Sequence, residues 1–243
     1  MDYHERAPSP CLEGLVKAFW HLAAGDDANA WVEHFATPDG SIEIVRRNRG
    51  ESKWHGAQPQ TFAAGLTTSP ARLQMRGDAI FLAVRLWPWT WHALGGEPCY
   101  GFIDDWIALS PASRCRDIAD NLEDESAVEQ LILDALSANP DTAAVQTVGR
   151  AILRSSNVAE VCKRTGLSHR SLQRWSRVYI GVPMRSYLRL LRFQSALADV
   201  QGSTNTLAQS AAVSGYADQA HMARSFRELA GAPALHAKSH AVG

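Results

Sequence analysis

Arginine and glutamine side chains recur in the second half of the chain at spacings that suit hydrogen bonding to base edges. In the later stretch, Gln219, Arg224 and Arg227 lie in a segment whose apolar residues repeat at helical intervals. An arginine can donate two hydrogen bonds to O6 and N7 of guanine, and a glutamine can pair similarly with N6 and N7 of adenine. Their types and spacing indicate a polar helix face suited to the major groove of DNA.

The elements that would position these side chains are predicted from residues 206–233, TLAQSAAVSGYADQAHMARSFRELAGAP. The apolar spacing predicts a short helix beginning near Leu207, a tight turn at Gly215, and a second helix that Asp218 can cap. The inner stripe of the second helix consists of Met222, Phe226 and Leu229. This pattern is typical of a helix-turn-helix unit, although a plain helical hairpin has the same spacing.

A second copy of the pattern lies upstream. Five landmarks recur at an offset of 50 residues, namely Leu172, Arg174, Arg177, Gly181 and Pro183 against Met222, Arg224, Arg227, Gly231 and Pro233. Residues 184–200, between the copies, predict a long helix with good helix formers throughout. A basic ridge on that helix consists of Arg185, Arg189 and Arg192. Two copies with shared landmarks are much less likely to arise by chance than one copy. The duplication therefore favours a pair of helix-turn-helix units in a DNA-binding domain over a plain helical hairpin.

Charge is divided unevenly along the 243-residue chain, whose formal net charge is −1. Residues 143–243 hold 13 lysines and arginines against 4 acidic residues, whereas residues 1–142 hold 11 against 21. An acidic half joined to a strongly basic half predicts that only the C-terminal half meets a polyanion.

The residue types that bind metals or form disulfides are scattered. The four cysteines, Cys11, Cys99, Cys115 and Cys162, form no C-x-x-C motif, and the histidines form no H-x-H or H-E-x-x-H motif. We therefore expect no metal, no cofactor and no disulfide framework.

No apolar run approaches the roughly 20 residues of a membrane span, and the N-terminus MDYHERAPSP lacks the apolar core of a signal peptide. We expect a cytoplasmic protein without a membrane partner.

The first half predicts strands followed by helices, and hence an α+β fold. Residues 41–47 and 79–87 are the clearest strand candidates, the latter with a single interior charge, Arg85, and a loop is expected around Arg49. The sequence Asn-Pro-Asp at 139–141 marks the predicted boundary. Residues 1–140 are thus expected to form a β-rich domain with trailing helices, and residues 141–243 an all-α domain.

Tryptophans at alternate positions follow the second of these strands. Trp87, Trp89 and Trp91 precede His92. They could line a pocket for a flat or apolar ligand, with His92 as a polar contact. They could equally fill the core of a small β domain, which is the more common arrangement.

The repeated units resemble the AraC/XylS family of transcriptional regulators. The matching segments are GLSHRSLQRWSRVYIGVPMRSYLRLLRFQSAL at 166–197 and SGYADQAHMARSFRELAGAP at 214–233, and the resemblance covers about residues 145–235. It implies two helix-turn-helix units bridged by one helix. The first half more weakly resembles the sensor-like domain of some members, through FWHL, TPDGSIEIV and AVRLWPWTWHALGG. The family usually has a phenylalanine where Ser176 stands, and Trp175 or Tyr179 is expected to fill that space.

The resemblance also implies a set of DNA-binding residues. The recognition helices are expected in major-groove segments about 34 Å apart. Six residues are expected to contact base edges or nearby phosphates, namely Arg170, Gln173, Arg174, Gln219, Ala220 and Arg224. Phosphate contacts are expected from Arg177, Arg189, Arg192, His221 and Arg227. Ser168 and His169 complete the set at the start of the first recognition helix.

The sequence thus predicts a sequence-specific transcriptional regulator, not an enzyme, that binds promoter or operator DNA. Control by a small-molecule effector or by self-association through the N-terminal domain is expected. RNA polymerase is a possible further partner. A homodimer is possible but not required, because both DNA-reading helices lie on one chain. One alternative is a DNA-binding domain fused to an enzymatic N-terminal domain, either a β-barrel catalyst or a methyl-accepting DNA-repair protein with a reactive cysteine. Another is a protein-interaction module that binds no duplex.

Overall fold

The structure, a computed structural model, describes residues 1–231 and residues 233 and 234. Nine strands occur in this part of the chain, all in its first half. They are β1 (Asp2–Arg6), β2 (Val16–Ala23), β3 (Trp31–Ala36), β4 (Ile42–Arg49), β5 (Ser52–Lys53), β6 (Thr61–Ala64), β7 (Ala71–Arg76), β8 (Ile80–Leu86) and β9 (Trp106–Ala108). Six form an antiparallel sheet in the order β1-β2-β8-β4-β6-β9, and three form a second in the order β3-β7-β5.

The strands predicted at 41–47 and 79–87 are confirmed as β4 and β8. The expected loop around Arg49 is wrong, because Arg47 and Arg49 still pair with Phe81 and Ile80 of β8. The neighbouring strand therefore extends the ladder beyond the point where apolar alternation ends.

Alternation along β4 separates two environments. Ile42 and Ile44 are completely buried on one face of the larger sheet, in a core that also holds Ile118 and Ile132. Helices α2 (Arg114–Asp120) and α3 (Glu125–Ser137) contribute those two residues. Glu43 and Val45 alternate with the isoleucines and point to the opposite face, which is covered by the smaller sheet. The two faces thus give one core under helices and one space between sheets.

The second half contains the helices predicted for the repeated units. They are α4 (Thr142–Leu153), α5 (Val158–Thr165), α6 (His169–Tyr179), α7 (Met184–Gly202), α8 (Leu207–Val213) and α9 (Gln219–Ala230). Helices α5 and α6 form the first helix-turn-helix unit, α8 and α9 form the second, and α7 links them. The expected β-rich half followed by a helical half is confirmed.

The tryptophan segment forms a helix, α1 (Pro88–Ala93), rather than an extended segment. Proline suits the first helical position, because its φ is fixed and its missing N–H has no partner there. Residues two positions apart on a helix point about 200° apart. Accordingly Trp91 enters the core beneath α2 and α3, whereas Trp89 enters the core of the helical half.

Trp89 joins the two halves of the molecule. It is completely buried, and its indole N–H donates to the carbonyl of Gly14 at 2.8 Å. A Cβ at Gly149 of α4 would lie 2.4 Å from the Trp89 ring, so only glycine allows this approach. Tyr187 of α7 also donates its hydroxyl to the carbonyl of Gly40 at 2.8 Å. The helical half therefore packs directly on the β-rich half.

No helix in the described part of the chain is both long and apolar enough to span a membrane.

Candidate nucleic-acid interface and ligand cavity

The first helix-turn-helix unit is fixed by local contacts at each end of its helices. The side chain of Asn157 accepts from the N–H of Glu160 at 3.0 Å at the start of α5. Gly166 ends α5 with φ of +71°, in the left-handed region that favours glycine. The hydroxyl of Ser168 then accepts from the N–H of Ser171 at 3.1 Å. These contacts satisfy helix-end groups and set where α6 begins.

The second unit uses the same devices. Thr206 and Gln209 form a reciprocal capping box at the start of α8, and Gly215 adopts φ of +73° after it. The carboxylate of Asp218 accepts from the N–H of His221 at 2.6 Å at the start of α9. Both recognition helices therefore begin at a side-chain cap that follows a left-handed glycine turn.

A common core holds the two units. Leu172 of α6 and Met222 of α9 are completely buried, as their matching positions predict. Phe226 of α9 packs edge-on against Phe193 of α7, with ring centroids 5.0 Å apart. The polar faces of α6 and α9 are consequently directed away from this core.

Ser176 occupies the position that matches Phe226. It is completely buried, and its hydroxyl donates to the carbonyl of Val182 just beyond α6. Trp175 and Tyr179 stack on each other at 4.7 Å and contact Trp89 and His92 of the first half. The aromatic rings of the first unit thus meet the β-rich half.

The predicted DNA-reading side chains lie at the surface of α6 and α9. Arg170, Arg174, Arg177, Arg224 and Arg227 are exposed, and none forms an ion pair with a carboxylate among the described residues. Exposed with them are Ser168, His169, Gln173, Gln219 and Ala220. His221 is half-buried and packs edge-on against Tyr216 at 5.2 Å. The two helices thus present uncompensated guanidinium groups beside amide groups.

The two arginines predicted on α7 are engaged within the protein. Arg189 is ion-paired with Glu228 of α9. Arg192 donates to the carbonyl of Ser156 at 3.0 Å, and its guanidinium lies 5.7 Å from the Tyr216 ring. Both side chains therefore brace α7 against its neighbours, in contrast to the free arginines of α6 and α9.

A cavity of about 780 Å³ lies between the two sheets of the first half. Its apolar walls include Trp20, Leu22, Phe62, Met75 and Phe81, and α7 contributes Gln194 and Leu197. Helix α9 reaches the rim through Ala230. The side-chain nitrogen of Gln58 is buried at this cavity without a hydrogen-bond partner among the described residues. A buried unpaired amide is costly, so it marks a place for a ligand's polar group.

The cavity holds a cluster of charges. Arg85 donates through Nε to Glu43 at 2.7 Å and through an Nη to Glu5 at 2.9 Å, and Asp39 lies 3.6 Å away. Burial opposes ionisation of Asp39, but Lys17 and Arg85 outweigh it and lower the pKa of its carboxyl to about 2. Burial likewise opposes the charge of Arg85, but Glu43 and Asp39 raise its pKa well above the usual value. Asp39 and Arg85 are therefore both charged at neutral pH.

Sequence reasoning missed this cavity, although one signal was present. Glu43 lies between two buried isoleucines, and Arg85 interrupts an apolar strand. Two opposite charges on paired strands can face each other inside a sheet. The register confirms that Glu43 and Arg85 are direct partners.

The tryptophan segment does not line the cavity. Trp89 and Trp91 are completely buried, and the indole of Trp91 donates to the carbonyl of Glu97 at 2.7 Å. Trp87 stacks on Trp89 at 5.5 Å, and His92 lies against Tyr179. This placement agrees with the core interpretation that the sequence left open.

The cysteines offer little for covalent chemistry. Burial raises the pKa of Cys99 and of Cys115 to about 12, which keeps both thiols protonated and poorly nucleophilic. Cys11 is exposed and Cys162 is half-buried. No group of three or more potential metal ligands occurs among the described residues.

Paired capped helices with free arginine and glutamine faces, joined by one linking helix, define a double helix-turn-helix DNA-binding domain. The family model described as "Helix-turn-helix domain" matches residues 161–238, and a model for a domain of unknown function, DUF6597, matches residues 4–107. Residues 161–238 therefore match a helix-turn-helix domain, and the protein is a DNA-binding transcription regulator. A comparison with curated proteins finds no match.

The chain is similar to several solved structures, three of which are ToxT, CuxR and XylR. ToxT of Vibrio cholerae strain SCE256, in a structure with unsaturated fatty acid bound, is 14% identical over 86% of this chain and 95% of its own, with a TM-score of 0.42. The AraC-like activator CuxR is 15% identical over 81% and 87%, with a TM-score of 0.33. The xylose-binding activator XylR is 13% identical over 42% of this chain and 28% of its own, with a TM-score of 0.36.

Proposed function

We propose that this regulator binds promoter or operator DNA by placing α6 and α9 in successive major-groove segments on one face of the duplex. The observation that carries the proposal is the pair of exposed arginine and glutamine faces on matching capped helices. Helix α7 has 19 residues, so it is about 28 Å long, the same order as the roughly 34 Å turn of DNA. Because both faces lie on one chain, a monomer suffices.

Base reading is assigned to the N-terminal turns and central positions of the two helices. On α6 the readers are Arg170, Gln173 and Arg174, and on α9 they are Gln219, Ala220 and Arg224. Arginine and glutamine can discriminate guanine and adenine through paired hydrogen bonds, and the methyl group of Ala220 can contact thymine. Phosphate contacts are assigned to Ser168, His169, Arg177, His221 and Arg227, which fix the register of the protein.

Arg189 and Arg192 are less available than the other arginines to bind phosphates. A phosphate must compete with Glu228 for Arg189, and with the Ser156 carbonyl for Arg192. Their contribution to affinity is therefore expected to be smaller than that of Arg177 or Arg227.

The cavity between the sheets is proposed as the effector site. Its volume falls within the range of about 300–1,000 Å³ that holds small-molecule ligands. A ligand there would touch Gln194 and Leu197 of α7 and approach Ala230 of α9. It can therefore favour one relative orientation of the two DNA-reading helices over another. Contacts with RNA polymerase and self-association through the first half are compatible additions that this mechanism does not need.

A catalytic first half is the weaker candidate. A methyl-accepting repair protein would need an activated thiolate, and the environments of Cys99 and Cys115 oppose one. We therefore propose a regulator without catalytic activity. Alkylation of the full-length protein by a methylated duplex would contradict this.

Selection of bound duplexes from a random library tests the DNA proposal. We expect the full-length protein to enrich a two-part site and to bind it at least about 10³-fold tighter than a scrambled duplex at physiological salt. The double variant Arg174→Ala/Arg224→Ala should lose most of that ratio. Arg114→Ala removes an exposed arginine from α2 and serves as the matched control. Absence of any enriched duplex, or an unchanged ratio in the double variant, would contradict the proposal.

A further inference from the structure

The charged cluster of the cavity is unbalanced. Two carboxylates, Asp39 and Glu43, line the cavity against one guanidinium, Arg85. Outside the lining, Lys17 and Glu5 extend the cluster and offset each other. His34 also lines the cavity, and burial lowers its pKa despite the nearby Glu43, so it adds no positive charge at neutral pH. The side chains of this cluster together carry an excess of one negative charge.

The guanidinium of Arg85 is poorly placed to bind an anionic ligand. It already donates to Glu43 and Glu5, and the Asp39 carboxylate lies 3.6 Å away. A ligand carboxylate would bring a further negative charge to a buried site that already has an excess of them. Desolvating that extra charge without a free partner is unfavourable.

Glu43, by contrast, has capacity for a cation. The Trp20 indole at 3.2 Å and Arg85 at 2.7 Å both donate to Oε1. No hydrogen bond to its other oxygen, Oε2, is found among the described residues. Aromatic walls supply the rest of the environment, since Trp20, Phe62 and Phe81 line the same cavity. Aromatic faces attract cations, most strongly where water is excluded.

The unpaired amide of Gln58 lies toward the other end of the cavity. Its backbone carbonyl accepts from Arg47 at 3.1 Å, and Arg47 lies four residues after Glu43 on β4. Four residues of strand span roughly 13 Å. A ligand that met both Glu43 and Gln58 would therefore be elongated, with a cationic end and a polar group at the far end.

We propose that the cavity binds an elongated apolar organic cation, such as an alkyl or aralkyl ammonium compound. Its cationic end lies at Oε2 of Glu43, with the charge of Asp39 nearby, its apolar body lies along Trp20, Phe62 and Phe81, and a polar end pairs with Gln58. The inference rests on the proposed role of the cavity as the effector site and names the chemical class of its ligand.

Three probes of equal chain length separate charge from apolar burial. Decyltrimethylammonium, decanoate and decanol are titrated into the full-length protein below their aggregation limits, by calorimetry and by quenching of tryptophan fluorescence. The cation is expected to bind at least tenfold tighter than either of the others. Equal or tighter binding of decanoate or decanol overturns the cation proposal and leaves the cavity as an effector site. If none of the three binds, both the cation proposal and the effector site are overturned.

Variants locate the cationic end. Glu43→Gln should weaken decyltrimethylammonium at least tenfold and leave decanol unchanged. Glu33→Gln, which makes the same change on an exposed carboxylate of β3, should alter neither. Asp39→Asn provides a second test if Glu43→Gln fails to fold, and it should also weaken the cation selectively. Unaltered affinity for the cation in a folded variant of either residue contradicts the proposal.

Discussion

The two recognition helices share one scaffold but are attached to the molecule differently. Helix α6 packs its C-terminal turn on the first half, with Trp175 6.2 Å from Trp89 and Tyr179 4.8 Å from His92 between ring centroids. Helix α9 inserts Phe226 into a core made with α7 instead. The aromatic side chains of the first helix thus contact the β-rich half, whereas Phe226 of the second contacts the linking helix.

A single position explains much of this difference. Where α9 has Phe226, α6 has Ser176, which closes the chain back on itself through the Val182 carbonyl. The aromatic residues of the first unit are instead Trp175 and Tyr179, which lie near Ser176 on α6 and face the other half. The two units thus share the same contacts at their helix ends but differ in the partners of their aromatic side chains.

The largest expected effects come from the two aromatic anchors. Trp89→Ala and Phe226→Ala should each lower the free energy of unfolding by about 3–5 kcal/mol, because each leaves a cavity in a fully buried site. The consequences for DNA should differ. Phe226→Ala should weaken protection of the segment bound by α9 and spare the other, whereas Trp89→Ala should disturb the position of α6.

Urea unfolding and hydroxyl-radical footprinting measure these two outcomes. Phe35→Ala is the control, because 64% of Phe35 is exposed and its loss should change stability by less than about 0.5 kcal/mol. Loss of protection at the same segment in both variants would contradict the distinction between the anchors.

The matching arginines test whether the two faces read DNA equally. Arg174→Ala and Arg224→Ala should each weaken binding to the selected duplex by about 1–3 kcal/mol and relax preference at one base pair. The affected pairs should lie in different segments of the site. Titrations with single-base variants of the duplex locate them, and Arg114→Ala should change neither. An equal loss on every duplex would reassign that arginine to a phosphate.

The helical half was largely predictable because its signals are local. The glycine turns at 166 and 215, the caps Ser168 and Asp218, and the apolar stripes all act within a few residues. A glycine in the middle of a helix, such as Gly149, indicates that another group packs close to the helix backbone at that point. The sequence does not show that this group is the ring of Trp89.

The β-rich half was less predictable because its contacts are distant in sequence. Strand β1 is mostly exposed and pairs at one edge of the larger sheet, so it lacks apolar alternation. The tryptophans suggested a shared face, whereas Pro88 starts a helix that sends Trp89 and Trp91 into different cores. The cavity depends on two sheets meeting, and Glu43 and Arg85 hinted at it only through charges within apolar strands.

Capping contacts should have smaller effects on the two units. Ser168→Ala and Asp218→Ala should each destabilise the protein by about 1 kcal/mol, because each leaves a helix-start N–H without its acceptor. Asp218→Asn keeps a capping oxygen and should retain most of the stability. Thermal unfolding of the four proteins measures the comparison. Equal destabilisation by the alanine and asparagine variants would show that the Asp218 charge, not its hydrogen bond, stabilises α9.

The smallest expected effect distinguishes an arginine of the linking helix from one of a recognition helix. An arginine that neutralises a phosphate contributes about 0.9 to the slope of log affinity against log salt concentration. Arg177 is exposed without an ion pair in the described structure, so Arg177→Ala should reduce the slope by nearly that amount. Arg189 is already paired with Glu228, so a phosphate contact would require that pair to break. Arg189→Ala should therefore reduce the slope by less than Arg177→Ala. Equal reductions would place α7 against the DNA backbone and show that the ion pair opens on binding.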